Sequence, residues 1–202
     1  AAQKSNWNRT VRLDLISNQN VEHFLKGMCA GCEIDSPLFD LAILAQSHGK
    51  SMAERGLRLF EQLSTITEQN YLKHRRDEKV TDILPKSKAD AQNQIREDFS
   101  RGNERLESFS ALYFRYYSQI YLSVEELSKS ANVVPQQFRR RLNSGLSALV
   151  NELRKLEIIA DRQAHQSDLN VPLPEYSTLI GADQLLEKLD SIVNALKPGQ
   201  ML

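Results

Sequence analysis

Apolar residues recur along this chain at steps of three and four, the spacing that brings side chains to one face of an α-helix. In Asn20–Met28 an asparagine cap precedes Val21, Phe24, Leu25 and Met28, which share one face. Ser36 and Pro37 open a further helix, the serine as cap and the proline pre-set for the first helical position, with Leu38, Leu41, Ala42 and Ala45 facing inward. Ser51 begins another, in which Met52, Leu59, Leu63 and Ile66 form a stripe that Leu57 and Phe60 widen. Short connections favour antiparallel neighbours, so residues 1–70 are expected to form a small helical bundle.

From Tyr71 the pattern breaks. "KHRRDEKVTDILPKSKADAQ" is charged, holds Pro85 and sustains no apolar stripe, so residues 71–94 read as a flexible charged loop; Lys73, His74, Arg75 and Arg76 could form a phosphate patch, but the opposite charges that follow favour a solvated run. Regularity resumes near Ile95, where Phe99, Leu106, Phe109, Leu112 and Tyr113 would line one helix running to about Ser118. The aromatics of "YFRYYSQIY" lie at helical spacing, which points to a core rather than to a stacking platform for single strands.

Residues 123–156 carry the most specific pattern. Ser123 with Glu126 makes a capping box, and Val124, Leu127 and Ala131 face inward behind it. Asn132-Val133 falls where a helix-turn-helix makes its sharp bend, asparagine tolerating the left-handed backbone that glycine usually supplies. Pro135 then starts a second helix, and Phe138, Leu142, Leu146, Leu149, Leu153 and Leu156 recur along it. That stripe outruns a recognition helix, so Leu149, Leu153 and Leu156 are candidate contacts for a protein partner or for self-association.

At 100° per residue the opposite face carries Gln136, Arg140, Asn143 and Ser147, with Arg139 and Arg141 on the flanks and Gln137 close to the latter. Arginine pairs with guanine and glutamine or asparagine with adenine, while flanking arginines take phosphates. Gln136, Gln137, Arg139, Arg140, Arg141 and Asn143 are therefore the candidate contacts to double-stranded DNA. Three departures leave packing or protein contact open as the alternative: Ser128 at the small-residue position, Asn132 at the turn glycine and Val134 as a poor cap.

Charge narrows the choice of partner. The 202 residues hold 26 lysines and arginines against 26 aspartates and glutamates, a net charge of zero that argues against strong non-specific nucleic-acid binding. Only a local basic face remains, and the arginine run is where it would lie. No stretch approaches the roughly 20 apolar residues of a membrane span, and no charged-then-apolar leader is evident, so the expected location is cytoplasmic with no membrane partner. Cys29 and Cys32 make a C-x-x-C whose sharp readings are a redox pair or half a zinc site completed by His23 or His48. A preceding strand and a second ligand pair are both missing, so buried, reduced cysteines ending a helix before Gly31 are expected. His23, His48, His74 and His165 lie in unrelated segments, and neither a catalytic nor a metal site is predicted.

The segment "YFRYYSQIYLSVEELSKSANVVPQQFRRRLNSGLSALVNELRKLE" resembles the sigma-factor region-four type of helix-turn-helix. More specifically it is similar to the version that precedes the nucleotide-binding module of bacterial STAND-class signalling NTPases, with an NB-ARC- or NACHT-like ATPase after it. "NVEHFLKGM" and "MAERGLRLFEQL" are similar to segments of the same N-terminal region. After the polar "ADRQAHQSDLN", the stretch "VPLPEYSTLIGADQLLEKLDSIVNALKPGQML" looks like the opening of such an ATPase, although Ala182 stands where that family often has an arginine near the adenine. The resemblance covers residues 20–68, 105–157 and 172–202. It implies a helix-turn-helix domain at 95–163, a linker at 164–175 and the first part of a truncated NTPase domain at 176–202.

No G-x-x-x-x-G-K-[ST] occurs in these residues, so no cofactor is expected here and ATP would belong to a longer parent protein. The expectation is an all-α, non-catalytic regulatory or adaptor domain. The alternatives are a free-standing helix-turn-helix transcription regulator and a bundle devoted to protein contacts.

Overall fold

Small polar caps set where the helices begin. In the structure, a computed structural model that describes residues 12–32, 34–47 and 50–169, no strand occurs among those residues, and the protein is all-α. Six α-helices are described: α1 Asn18–Cys29, α2 Met52–Asp77, α3 Lys88–Ser100, α4 Glu104–Tyr116, α5 Val124–Ser130 and α6 Pro135–Leu169. Ser17, Ser51, Ser87 and Ser123 each accept a backbone N–H from the first turn of α1, α2, α3 and α5. No helix among the described residues is long and apolar enough to cross a membrane.

The cap of α1 is Ser17 rather than Asn20, whose side-chain amide instead donates to the Leu15 carbonyl at 2.8 Å. Ser36 and Pro37 do start a helical turn, but only short 3-10 turns form, at Pro37–Asp40 and Ala42–Ser47, with extended Leu41 between them. The second turn is held by a distant residue. The Glu157 carboxylate, 2% exposed on α6, accepts the backbone N–H groups of Ala42 at 2.7 Å and Ile43 at 3.1 Å. Met52 and Leu57, expected in the stripe of α2, lie at the surface.

The expected loop at 71–94 is largely helical. α2 runs on to Asp77 and α3 starts at Lys88, which leaves only residues 78–87 between them. The helix continues past Tyr71 with Arg75 on its buried face, 1% exposed. Its guanidinium is paired with the fully buried Asp98 of α3, and its Nε donates to the Thr81 carbonyl at 2.6 Å. The hydroxyls of Tyr71 and Ser110 donate to the same Asp98 carboxylate at 2.9 and 2.6 Å. Burial pushes the Asp98 carboxyl up to about 6, against the pull of Arg75 and the two hydroxyls, so at neutral pH it remains charged. A charge count cannot distinguish such a paired arginine from a solvated one.

The single helix expected from Ile95 to Ser118 is two. Gly102 takes φ +67°, and Asn103 caps α4 by accepting the N–H groups of Arg105 and Leu106. α4 is buried continuously from Leu106 to Phe114 and packs against α2 and α3. Its aromatics belong to the core, with Tyr113 stacked on Tyr71 at 4.9 Å, whereas Tyr121, in the same run expected to be core, lies beyond the helix and is 78% exposed. The described residues up to Ala164 form one compact unit, with no division among them between a bundle at 1–70 and a second domain at 95–163. Beyond Ala164 the described residues, to Leu169, continue α6 as helix where a linker was expected at 164–175. The expected NTPase segment at 176–202 lies outside the described residues.

Leu149 and Leu153 are fully buried in this unit's own core, so the proposed contact seam for a partner is already occupied; only Leu156, at 36%, reaches the surface. The helices that cover this stripe are far away in sequence, so the stripe alone does not show that it is covered.

His74, in the last turn of α2, stacks on Phe109 at 5.5 Å with its side chain 13% exposed. Burial holds its imidazole below the ordinary histidine value, so the folded protein resists protonation that the unfolded chain accepts. Stability from this group is present above about pH 6.5 and is lost as the pH falls. Urea midpoints of the wild type and His74→Gln, compared at pH 7.5 and 5.5, should show a smaller acid-side loss in the variant.

Candidate nucleic-acid interface

The seven residues of α5 are fixed at both ends. At the start, the Ser123 N–H donates to Glu126 Oε2 at 2.9 Å and the Glu126 N–H to Ser123 Oγ at 3.2 Å, the reciprocal box expected from the sequence. Lys88 of α3 donates to the same Glu126 carboxylate at 2.5 Å, and with the Ser123 amide it holds that carboxyl below its ordinary value. At the end, Asn132 takes φ +55°, its N–H reaching the Lys129 carbonyl at 3.2 Å while Val133 N–H reaches Ser128 at 3.1 Å. These two bonds form a Schellman turn, the device that stops a helix and redirects the chain. Ser128, at the expected small-residue position, is 2% exposed.

α6 begins immediately afterwards, with Val134 exposed and offering no side-chain cap, as its chemistry implies. Its carbonyl accepts the N–H groups of Gln137 at 2.9 Å and Phe138 at 3.1 Å. Phe138 is fully buried and stacks on Phe99 of α3 at 5.8 Å. That anchor fixes the rotation of the helix. With Phe138 and Leu142 inward, Gln136, Gln137, Arg139, Arg140 and Asn143 all point to solvent and share one continuous surface with Val134.

Arg141 is placed differently from the other five. Its guanidinium donates to Glu104 at 2.5 Å and to Glu107 at 2.6 Å, both on α4, and its side chain is only 16% exposed. It is committed to holding α6 against α4 and is not free for phosphate. The sequence places it on a flank; that this flank meets two glutamates depends on how α4 lies, which periodicity alone does not give.

Charge separates this end of α6 from the neutral whole. No acidic residue occurs between Pro135 and Asn151. Arg139 and Arg140 have no ion-pair partner among the described residues. Beside the turn, Arg96 of α3 and Lys129 of α5 line a second depression with Ser100 and Asn132. Neither cation stands out in the sequence, because only the packing of α3 against α5 brings them to the bend. A helix of about 10–12 Å diameter fits a major groove about 12 Å wide, and this one offers forked donors and amides on the outer face with cations at its edge.

The cysteines are exposed, not buried as expected, at the C-terminal end of α1 beside Gly31, which takes φ +67°. Cys29 Sγ lies 3.6 Å from the Tyr116 carbonyl, and desolvation pushes its thiol up, away from the thiolate a redox pair requires. Among the described residues no three histidine, cysteine, aspartate or glutamate side chains converge on a common point. Compared with known protein families, curated proteins and solved structures, the chain matches none.

Proposed function

We propose that this protein is a non-catalytic regulatory or adaptor domain whose α5–turn–α6 element is a helix-turn-helix that reads the major groove of double-stranded DNA in the cytoplasm. The observation that carries the reading is the outward face of Gln136, Gln137, Arg139, Arg140 and Asn143, whose shared surface is lined by no carboxylate and which has buried Phe138 behind it. Arg140 is the base-reading arginine, and Arg139, with Lys129 and Arg96, takes phosphates on the flank. The resemblance to the N-terminal region of STAND-class NTPases extends the proposal: in a longer parent, the nucleotide state of an ATPase domain would change how this face is presented.

The test is a binding series on duplex DNA at several salt concentrations. Arg140→Ala is expected to cost about 1–3 kcal/mol on a selected site and to relax the base preference. Arg139→Ala should weaken all duplexes alike and reduce the salt slope by about one. Duplex binding that ignores both substitutions would overturn the proposal. A second reading, contact with a protein partner, is favoured by Leu156 and Ile159, 36% and 50% exposed on the distal part of α6. It predicts capture of a partner that fails on Ile159→Asp and is insensitive to salt.

A further inference from the structure

The outward surface of α6 is not wholly polar. Val134, the residue before Pro135, is 63% exposed and lines the same depression as Gln136, Gln137, Arg139, Arg140 and Asn143. A single exposed valine is ordinary on a protein surface. This one stands where valine is a poor choice. It occupies the cap position of α6, since its carbonyl accepts the N–H groups of Gln137 and Phe138. The other five α-helices are capped by Ser17, Ser51, Ser87, Asn103 and Ser123, whose side chains each accept a backbone N–H from the first turn. A valine side chain offers no such acceptor.

Packing does not account for it either. Val133, next to it at the bend, is the valine that packs against the core, while Val134 stays mostly in solvent. Its chemistry does match one feature of the surface that the neighbouring side chains would read. On the major-groove edge an A·T pair shows the adenine N7 and N6 groups, the thymine O4 and the thymine C5-methyl group. Glutamine and asparagine amides suit the adenine, and only an apolar side chain suits the methyl.

We propose that Val134 is a specificity-determining residue that contacts the C5-methyl group of a thymine, so that the duplex this face prefers carries an A·T pair where the Pro135 end of α6 meets the groove. The inference rests on the groove-reading proposal and adds a base to it. Among the base edges of unmodified DNA the thymine methyl is the apolar group in the major groove, and covering it with valine takes hydrocarbon out of water on both partners. A serine or threonine here would cap the helix better and give up all or part of that contact.

A duplex selected by the whole chain from a random-sequence library serves as the probe, with each thymine replaced in turn by deoxyuridine, which lacks only the methyl group. At one position the replacement should weaken wild-type binding by about fourfold, the worth of one buried methyl. Val134→Ser should bind the thymine duplex about fourfold more weakly and no longer distinguish thymine from uracil at that position. Serine can cap α6, so this variant should melt no lower than the wild type, which separates a lost contact from a lost fold. Indifference of the wild type to every replacement, while Arg140→Ala still weakens binding, would overturn the inference and leave the groove reading standing. A Val134→Ser variant as sensitive to uracil as the wild type would also overturn it, because the methyl would then act through duplex shape. Failure to select any duplex would overturn both.

Discussion

Asp98→Ala is expected to destabilise the protein by about 3–5 kcal/mol, because it leaves the Arg75 guanidinium buried without its counter-charge. Arg75 is 1% exposed and Asp98 fully buried, so solvent cannot substitute for the lost carboxylate. The Tyr71 and Ser110 hydroxyls, both donors to Asp98, lose their acceptor at the same time. Asp98→Asn keeps the shape and one acceptor oxygen while removing the charge, and should fall between wild type and alanine. The measurement is the urea midpoint at constant slope, since a change in midpoint alone reports stability. A loss under about 1 kcal/mol would mean that the pair is solvated in the folded protein, at odds with its burial.

Gly145→Val should cost about 3 kcal/mol or more, the upper end of what overpacking a tight interface does. A Cβ there would stand 2.4 Å from the Ser108 carbonyl oxygen and 3.2 Å from Leu112 Cβ. The first obstacle is backbone, which no rotamer change relieves. Replacing a helical glycine normally returns up to about 1 kcal/mol of helix propensity, too little to offset such a contact. α4 and α6 must therefore separate, which also lengthens the bonds from Arg141 to Glu104 and Glu107. Scanning calorimetry should show a melting temperature lower by roughly 6–12 °C, with Gly145→Ala intermediate. An unchanged temperature would show that the two helices do not approach as described.

Where local chemistry decided the outcome, it could be read from the residues. The box at Ser123 and Glu126, the left-handed Asn132 and the inward Phe138 each depend on neighbours within a few positions, and each is found as expected. The outward placement of Gln136, Gln137, Arg139, Arg140 and Asn143 followed from Phe138 and the helical repeat. What the sequence could not convey were partnerships over long separations. Arg75 looked solvated because Asp98 is 23 positions away. Arg141 looked free because Glu104 and Glu107 lie on a preceding helix. Leu149 and Leu153 looked like spare apolar surface because nothing in the stripe itself shows what covers it. Gly102 lies in the polar gap between Phe99 and Leu106, a seven-residue step that a helical period bridges although two helices meet within it.

The grip of the N-terminal segment on the far part of α6 has a mechanical consequence. Glu157 holds Ala42 and Ile43, and Arg154 donates to the Ile16 carbonyl at 3.0 Å, so this part of the helix is clamped while the arginines ride some distance ahead. Glu157 lies seventeen positions beyond Arg140 on the same unbroken helix, a span of roughly 25 Å. The near end of that span is held as well, by Phe138 stacked on Phe99 and by Arg141 on Glu104 and Glu107, so the helix is a strut fastened at both ends. Load applied at the N-terminal segment is carried along it without turning the outward arginines relative to the rest of the core.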